Sequence, residues 1–243
     1  MECFGQAPGF FGKLPSHGDF VSRRLPLQVR QCLDDWLQRA LMHSKAELGP
    51  AWLATWGSSP LWRFVIGAGV CGEQAWAGVM MPSADRVGRC FPLLLAASPG
   101  ETPALAHCPR LFDDWLARLE ALALSALEDG FSLEVFDADL IAAGAAPSAG
   151  VPARLTLDRW QPTPPEGFVM VLQGSPAPEC SLEGQSAWWT QGSPLISPCM
   201  ATCAGLPGPA SFTALLDGRW VERGWSMLPA LQALLPQPGN AGC

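Results

Sequence analysis

Ser16, His17 and Asp19 fall within four positions of one another, and Arg23 and Arg24 follow closely. A serine, a histidine and a carboxylate are the residue types of nucleophilic hydrolysis. The imidazole takes the hydroxyl proton and the acid orients the imidazole. Adjacency works against that chemistry here, because neighbouring side chains of an extended segment point to opposite sides. Ser16 and His17 are therefore expected to diverge, and no Gly-x-Ser-x-Gly elbow occurs in the chain. The preferred reading is a polar turn in which Ser16 or Asp19 accepts backbone N–H bonds and Gly18 permits the turn. No catalytic residue is assigned. A hydrolase built on Ser16, His17 and Asp19 is kept as the alternative.

A second polar loop, residues 82–89, carries Asp85, Arg86 and Arg89. Arg23, Arg24, Arg86 and Arg89 are four of the chain's 13 arginines. If the two loops meet, they make an Arg/Asp network with Ser16 and His17 around it. Such a network either ties the loops together or recognises a partner, since Arg is favoured at interfaces. Trp188 and Trp189 are a second candidate surface. Neighbours on a strand face opposite ways, so one of the two is expected outside the core or against another element.

Other motifs carry less. Residues 67–72 match the letters of a dinucleotide fingerprint, but no helix opens there, and the segment reads as a hairpin turn. Cys199 and Cys203 could combine with His107 and Cys108 on a zinc ion, yet the spacing does not demand it. No metal or cofactor is assigned. The nine cysteines come with no secretory signal and are expected to be reduced, small, buried side chains.

These residues need a scaffold, and composition supplies one. Of 243 residues, 49% are hydrophobic and 15% charged, a globular profile rather than a disordered one. The net charge of -7 argues against nucleic acid and against an anionic membrane surface. No apolar run approaches the ~18 residues of a membrane span, and the N-terminus lacks the pattern of a leader.

Periodicity places the elements. Residues 1–25 read as a loop-rich start. A helix follows Pro26, with Val29, Leu33, Trp36, Leu37, Ala40 and Leu41 on its apolar face and a stop at Gly49-Pro50. Residues 61–66 and 74–81 read as an antiparallel strand pair, and 91–97 as a buried strand. The strongest helix begins near Pro109 and runs to Leu127, with Asp113 and Asp114 expected in its first turns. A short helix at 133–143, a strand at 168–172, a hairpin around Trp188-Trp189 and 198–202, and a helical turn at 211–216 complete the outline. A proline-rich connection at 144–167 allows a sub-domain boundary. The expected architecture is α/β, a mixed sheet covered by helices on both faces, essentially one domain over 1–243.

The segment from Gly12 to Phe20, with Arg23-Arg24-Leu25-Pro26, resembles the signature of the TagF (ImpM) family of type VI secretion-associated proteins. Asp35-Trp36-Leu37-Gln38, Trp62-Arg63-Phe64, Gly78-Val79, Pro82-Ser83, Asp85-Arg86-Val87-Gly88-Arg89 and Phe91-Pro92-Leu93 follow in the family's order. Weaker matches continue at Ser186-Ala187-Trp188-Trp189 and Gly205-Leu206-Pro207. The resemblance implies a three-layer α/β/α sandwich and a cytoplasmic, non-enzymatic repressor that acts after translation through a forkhead-associated scaffold protein. Some relatives carry a fused protein-phosphatase domain, for which no segment is seen here. The resemblance brings no catalytic residues with it. A structural accessory subunit of the secretion apparatus is a further alternative.

Overall fold

The computed structural model describes residues 6–148, 169–173 and 181–229. Nine strands form one sheet: β1 (Gly9–Gly12), β2 (Val21–Arg23), β3 (Trp62–Ile66), β4 (Trp76–Met81), β5 (Leu93–Ala97), β6 (Val169–Gln173), β7 (Gln185–Thr190), β8 (Cys199–Ala204) and β9 (Ser226–Pro229). Their order across the sheet is β2-β1-β5-β4-β3-β7-β8-β6-β9. Neighbours run antiparallel throughout except at β6–β8, which is parallel. The α/β class holds, and the mixed character expected of the sheet is confined to that one pair.

Among the described residues five α-helices accompany it: α1 (Leu27–Leu48), α2 (Trp52–Ser58), α3 (Cys108–Ser125), α4 (Leu133–Ala142) and α5 (Pro209–Asp217). Two apolar clusters account for their placement. Trp62, Phe64 and Ile66 of β3 turn to the face covered by α1, α2 and α5. Val65 of β3, with Val79 of β4 and Leu95 of β5, turns to the face covered by α3 and α4. Side chains alternate at period two, and both faces are covered, so β3, β4 and β5 are apolar at nearly every position.

That cover corrects one expectation. Trp188 joins the α1 face and Trp189 the α3 face, and they are 0% and 5% exposed. Neither is a partner surface, because the second face of the strand is as dry as the first. A further correction concerns the N-terminus. Residues 9–12 and 21–23, expected in a loop, are strands β1 and β2 at one edge of the sheet. Gly12 ends β1 with φ +143, and a Cβ there would sit 2.0 Å from the Pro92 carbonyl oxygen. A glycine is therefore what lets the end of β1 pass this close to the backbone entering β5.

The apolar stripe expected of α1 is buried as read. Trp36 on α1 and Trp115 on α3 occupy similar sequence contexts and do similar jobs on opposite faces. Trp36 donates Nε1–H to Pro207 O at 2.8 Å, and Trp115 donates to Gly144 O at 3.2 Å. Helix α3 starts at Cys108, so Asp113 lies beyond its first turn. Asp113 instead takes a bond from Arg63 Nη1 at 2.5 Å. Arg63 is a buried cation on β3. Its Nε and Nη2 both reach Glu120 of α3 at 2.7 Å. The Glu120 hydrogen bonds outweigh desolvation and raise the guanidinium's pKa above its ordinary value. Removing one partner of such a pair typically costs about 3–5 kcal/mol, so this fork holds α3 in register on the sheet.

Cysteine usage departs from the reading of reduced thiols. Cys32 of α1 and Cys71 of the β3–β4 turn are joined by a disulfide, with Cα atoms 5.6 Å apart. Cys108, Cys199 and Cys203 are free and buried, and Cys90 is free and half-buried. Residues 67–72 form the turn between two strands, as read, and no helix follows. Of the proline-rich connection at 144–167, all but residues 144–148 lies outside the described residues, as do Cys3, Cys180 and Cys243.

The disulfide closes a separation of 39 residues, which the chain-entropy relation converts to about 4 kcal/mol of stability. Cys32→Ser is expected to lower the unfolding free energy by that order in non-reducing buffer. Reductant should bring the wild type down to the mutant in urea denaturation. Equal midpoints without reductant would contradict a stabilising cross-link.

Candidate functional site: two loops joined on a buried carboxylate

The two polar loops meet. Asp85 sits between them with no exposed side-chain surface. Its Oδ1 accepts the backbone N–H of Val87 at 3.1 Å and of Arg89 at 2.9 Å. Its Oδ2 accepts Lys13 Nζ at 2.9 Å and Arg89 Nε at 2.6 Å. One oxygen therefore shapes its own loop, an Asx-type turn, while the other binds two cations. Burial alone would raise this carboxyl's pKa. The bonds from Lys13, from the Arg89 backbone and guanidinium and from the Val87 N–H outweigh it, holding the group well below the usual carboxylate range.

Backbone bonds complete the junction. Arg86 N–H donates to His17 O at 2.9 Å, Arg89 Nη2 to Gly18 O at 2.5 Å, and Ser83 Oγ to Lys13 O at 2.8 Å. Trp56 of α2 donates Nε1–H to Ser83 O at 3.2 Å. The matching Pro-Ser pairs at 15–16 and 82–83 thus play different parts. Ser83 is a buried brace, and Ser16 is exposed.

Arg23 and Arg24 do not join this centre. Arg23 Nη1 and Arg24 Nη1 bind the two oxygens of Asp137 on α4, at 2.6 and 2.5 Å. Burial would raise the Asp137 pKa, and the two arginines lower it on balance. Arg24 is left-handed at φ 61, and its Nε donates to Pro8 O at 2.8 Å. The expected single network is therefore two, one centred on Asp85 and one on Asp137. Sequence reasoning missed Lys13 and Asp137. Lys13, one of only two lysines in the chain, was a signal within reach. Asp137 lies 114 residues from Arg23 on a helix with no distinguishing motif.

Ser16 and His17 do not diverge. Ser16 Oγ and His17 Nδ1 are 2.8 Å apart, because residues 14–17 turn, with His17 N–H on Leu14 O, and are not extended. Among the described residues no carboxylate partners the His17 ring, and Asp19 is exposed. Two cavities stand out elsewhere. One of about 420 Å³ is lined by Cys32, Trp36, Arg39 and the segment 205–209. The other, about 220 Å³, lies between α3 and α4. Neither includes Ser16, His17 or Asp19. The zinc combination also separates: Cys199 and Cys203 belong to the α1 face and Cys108 to the α3 face. Among the described residues no three potential ligands converge.

Residues 9–143 match the family model described as TagF N-terminal domain, type VI secretion system-associated. The chain belongs to this family. The matched segment holds both polar loops, Lys13, Asp85 and Asp137. The family likeness extends beyond it in three dimensions. The crystal structure of PA0076 from Pseudomonas aeruginosa PAO1, at 2.05 Å resolution, superposes with a TM-score of 0.74 at 34% identity, covering 95% of this chain and 99% of that one. No curated protein matches the chain. Among the described residues no helix is long and apolar enough to cross a membrane.

The depressed Asp85 pKa sets a pH dependence. Its contribution to stability is complete above the unfolded value of about 4 and is lost as pH falls through the lower folded value. Asp85→Asn should therefore melt below wild type at pH 7, and the gap should narrow as pH drops below about 4. A gap constant from pH 7 to pH 2 would show that the charge of Asp85 contributes nothing.

Proposed function

We propose that this chain is a post-translational repressor of a bacterial type VI secretion system. It acts in the cytoplasm, as one folded unit without enzymatic activity, by binding a forkhead-associated scaffold protein of that system. The observation that carries the reading is the match of residues 9–143 to a type VI secretion-associated family. The surface chemistry supports it. The polar cluster that first suggests catalysis is built as a braced ledge of arginine and aromatic side chains, a composition suited to recognition.

A second reading, hydrolysis by Ser16 and His17, is favoured by their 2.8 Å contact. It is weakened by the setting. Ser16 lies on open surface, and both cavities are lined by other residues. Water-exposed hydrogen bonds do little to activate a nucleophile.

Deleting the gene should raise secretion of the system's tube protein under non-inducing conditions, and restoring the gene should return it to the repressed level. Unchanged secretion in both conditions would reject the repressor reading. Ser16→Ala should repress as wild type does. Loss of repression by a folded Ser16→Ala protein would favour the hydrolase.

A further inference from the structure

Acidic residues outnumber basic ones 22 to 15 in this chain, yet one end of the sheet reverses that balance. Lys13, Arg23, Arg24, Arg30, Arg86 and Arg89 gather around β2 and the two joined loops. The carboxylates bonded among them are Asp85 and Asp137, with exposed Asp19 alongside. Most of these cations are committed. Lys13 and Arg89 hold Asp85, Arg23 and Arg24 hold Asp137, and Arg30 donates to Ser22 Oγ.

Arg86 differs. Its backbone N–H is fixed on His17 O, while its guanidinium reaches over Gly18, where a Cβ would lie 3.8 Å from Nη2. Among the described residues that guanidinium has no hydrogen-bond or ion-pair partner. The same two loops expose two apolar side chains, Val87 at 69% and Phe20, two residues after Gly18, at 48%. Phe20 is held from within. Phe11 stacks on it at 5.6 Å, Phe91 meets it edge-on at 4.8 Å, and Lys13 Nζ lies 5.1 Å from its ring centre.

We propose that Arg86, Phe20 and Val87 form a docking ledge for an acidic segment of a partner protein. The segment's carboxylates pair with Arg86 and with the surplus positive charge around Asp85, and one of its apolar side chains covers Phe20 and Val87. This rests on the reading of the chain as a binding regulator and specifies the chemistry of its contact. Charge complementarity selects the occupant: two cations already neutralise Asp85, so the ledge carries net positive charge on a protein of net charge -7. One uncommitted arginine among the cations of this edge is poor for a polyphosphate backbone, whose affinity grows with the number of phosphates neutralised. It suits a short anionic peptide, where one arginine and a fixed aromatic supply the anchor. The bracing bonds mean that little ordering remains to be done on binding.

The test uses the purified full chain and a fluorescein-labelled, glutamate-rich peptide with one central leucine, followed by anisotropy. Wild type should bind, more weakly as salt rises. Arg86→Glu should bind at least about tenfold more weakly and Val87→Ser several-fold more weakly, while Arg118→Glu on the outer side of α3 binds as wild type. Arg86→Gln serves if the charge reversal melts early. The ledge is overturned if the wild type does not bind, if the glutamine version of the peptide binds equally, or if Arg86→Glu binds as tightly as wild type. It is also overturned if the wild type sediments as a dimer that Arg86→Glu dissolves, since the occupant is then a second copy. Repression is read separately, in cells, from the gene deletion. Failed peptide binding removes the ledge and leaves the repressor reading standing. Unchanged secretion on deletion removes the repressor reading and leaves any measured binding intact.

Discussion

The arrangement at the β2 edge depends on one carboxylate that cannot be left alone. Asp85 has no exposed side-chain surface, and an ionised carboxylate out of water is costly unless its oxygens are bonded. The structure meets that demand from two segments about 70 residues apart. Val87 and Arg89 give backbone N–H groups from the same loop, and Lys13 reaches in from the end of β1. Because each partner is placed by its own element, satisfying the carboxylate also fixes the loops against each other. Gly12, Ser83 and Trp56 then brace the same junction.

The same rule governs the rest of the molecule. A sheet covered on both faces has little room for polar side chains, so most of those that enter arrive with partners, the buried Thr202 hydroxyl of β8 being an exception. Arg63 enters with Glu120, Ser186 with the Gly205 carbonyl, and the indole N–H groups of Trp36, Trp62 and Trp225 with backbone carbonyls.

Much of this was legible in the residues. The stripe of α1, the pairing of β3 with β4 and the buried strand β5 follow from period 3.6 and period 2 patterns that the core enforces. The strands at the ends were not. β1 is four residues bounded by glycines and β2 is three with a polar pair, too short for alternation to register, and they exist because β5 offers an edge to pair with. Trp188-Trp189 misled for a related reason. Alternation alone puts one of the two outside the core or against another element, and only the presence of a second helical layer decides for the latter and makes both faces dry. In the site, the meeting of the two loops could be anticipated from shared Arg and Asp content. The division of arginines between Asp85 and Asp137 could not, since it depends on where α4 lies. The Ser16–His17 contact was misjudged because a tight turn, not an extended strand, carries them.

The central claim is that the Asp85 carboxylate and the Lys13 ammonium hold the two loops together as a unit. A double-mutant cycle with Lys13→Met, Asp85→Asn and the pair, followed by urea denaturation at neutral pH, tests it most directly. Each single change should destabilise markedly, since it leaves a buried group without its partner, and the double mutant should lose clearly less than the sum of the two. Strict additivity would contradict the account, because it would mean that the two side chains are neighbours without being coupled.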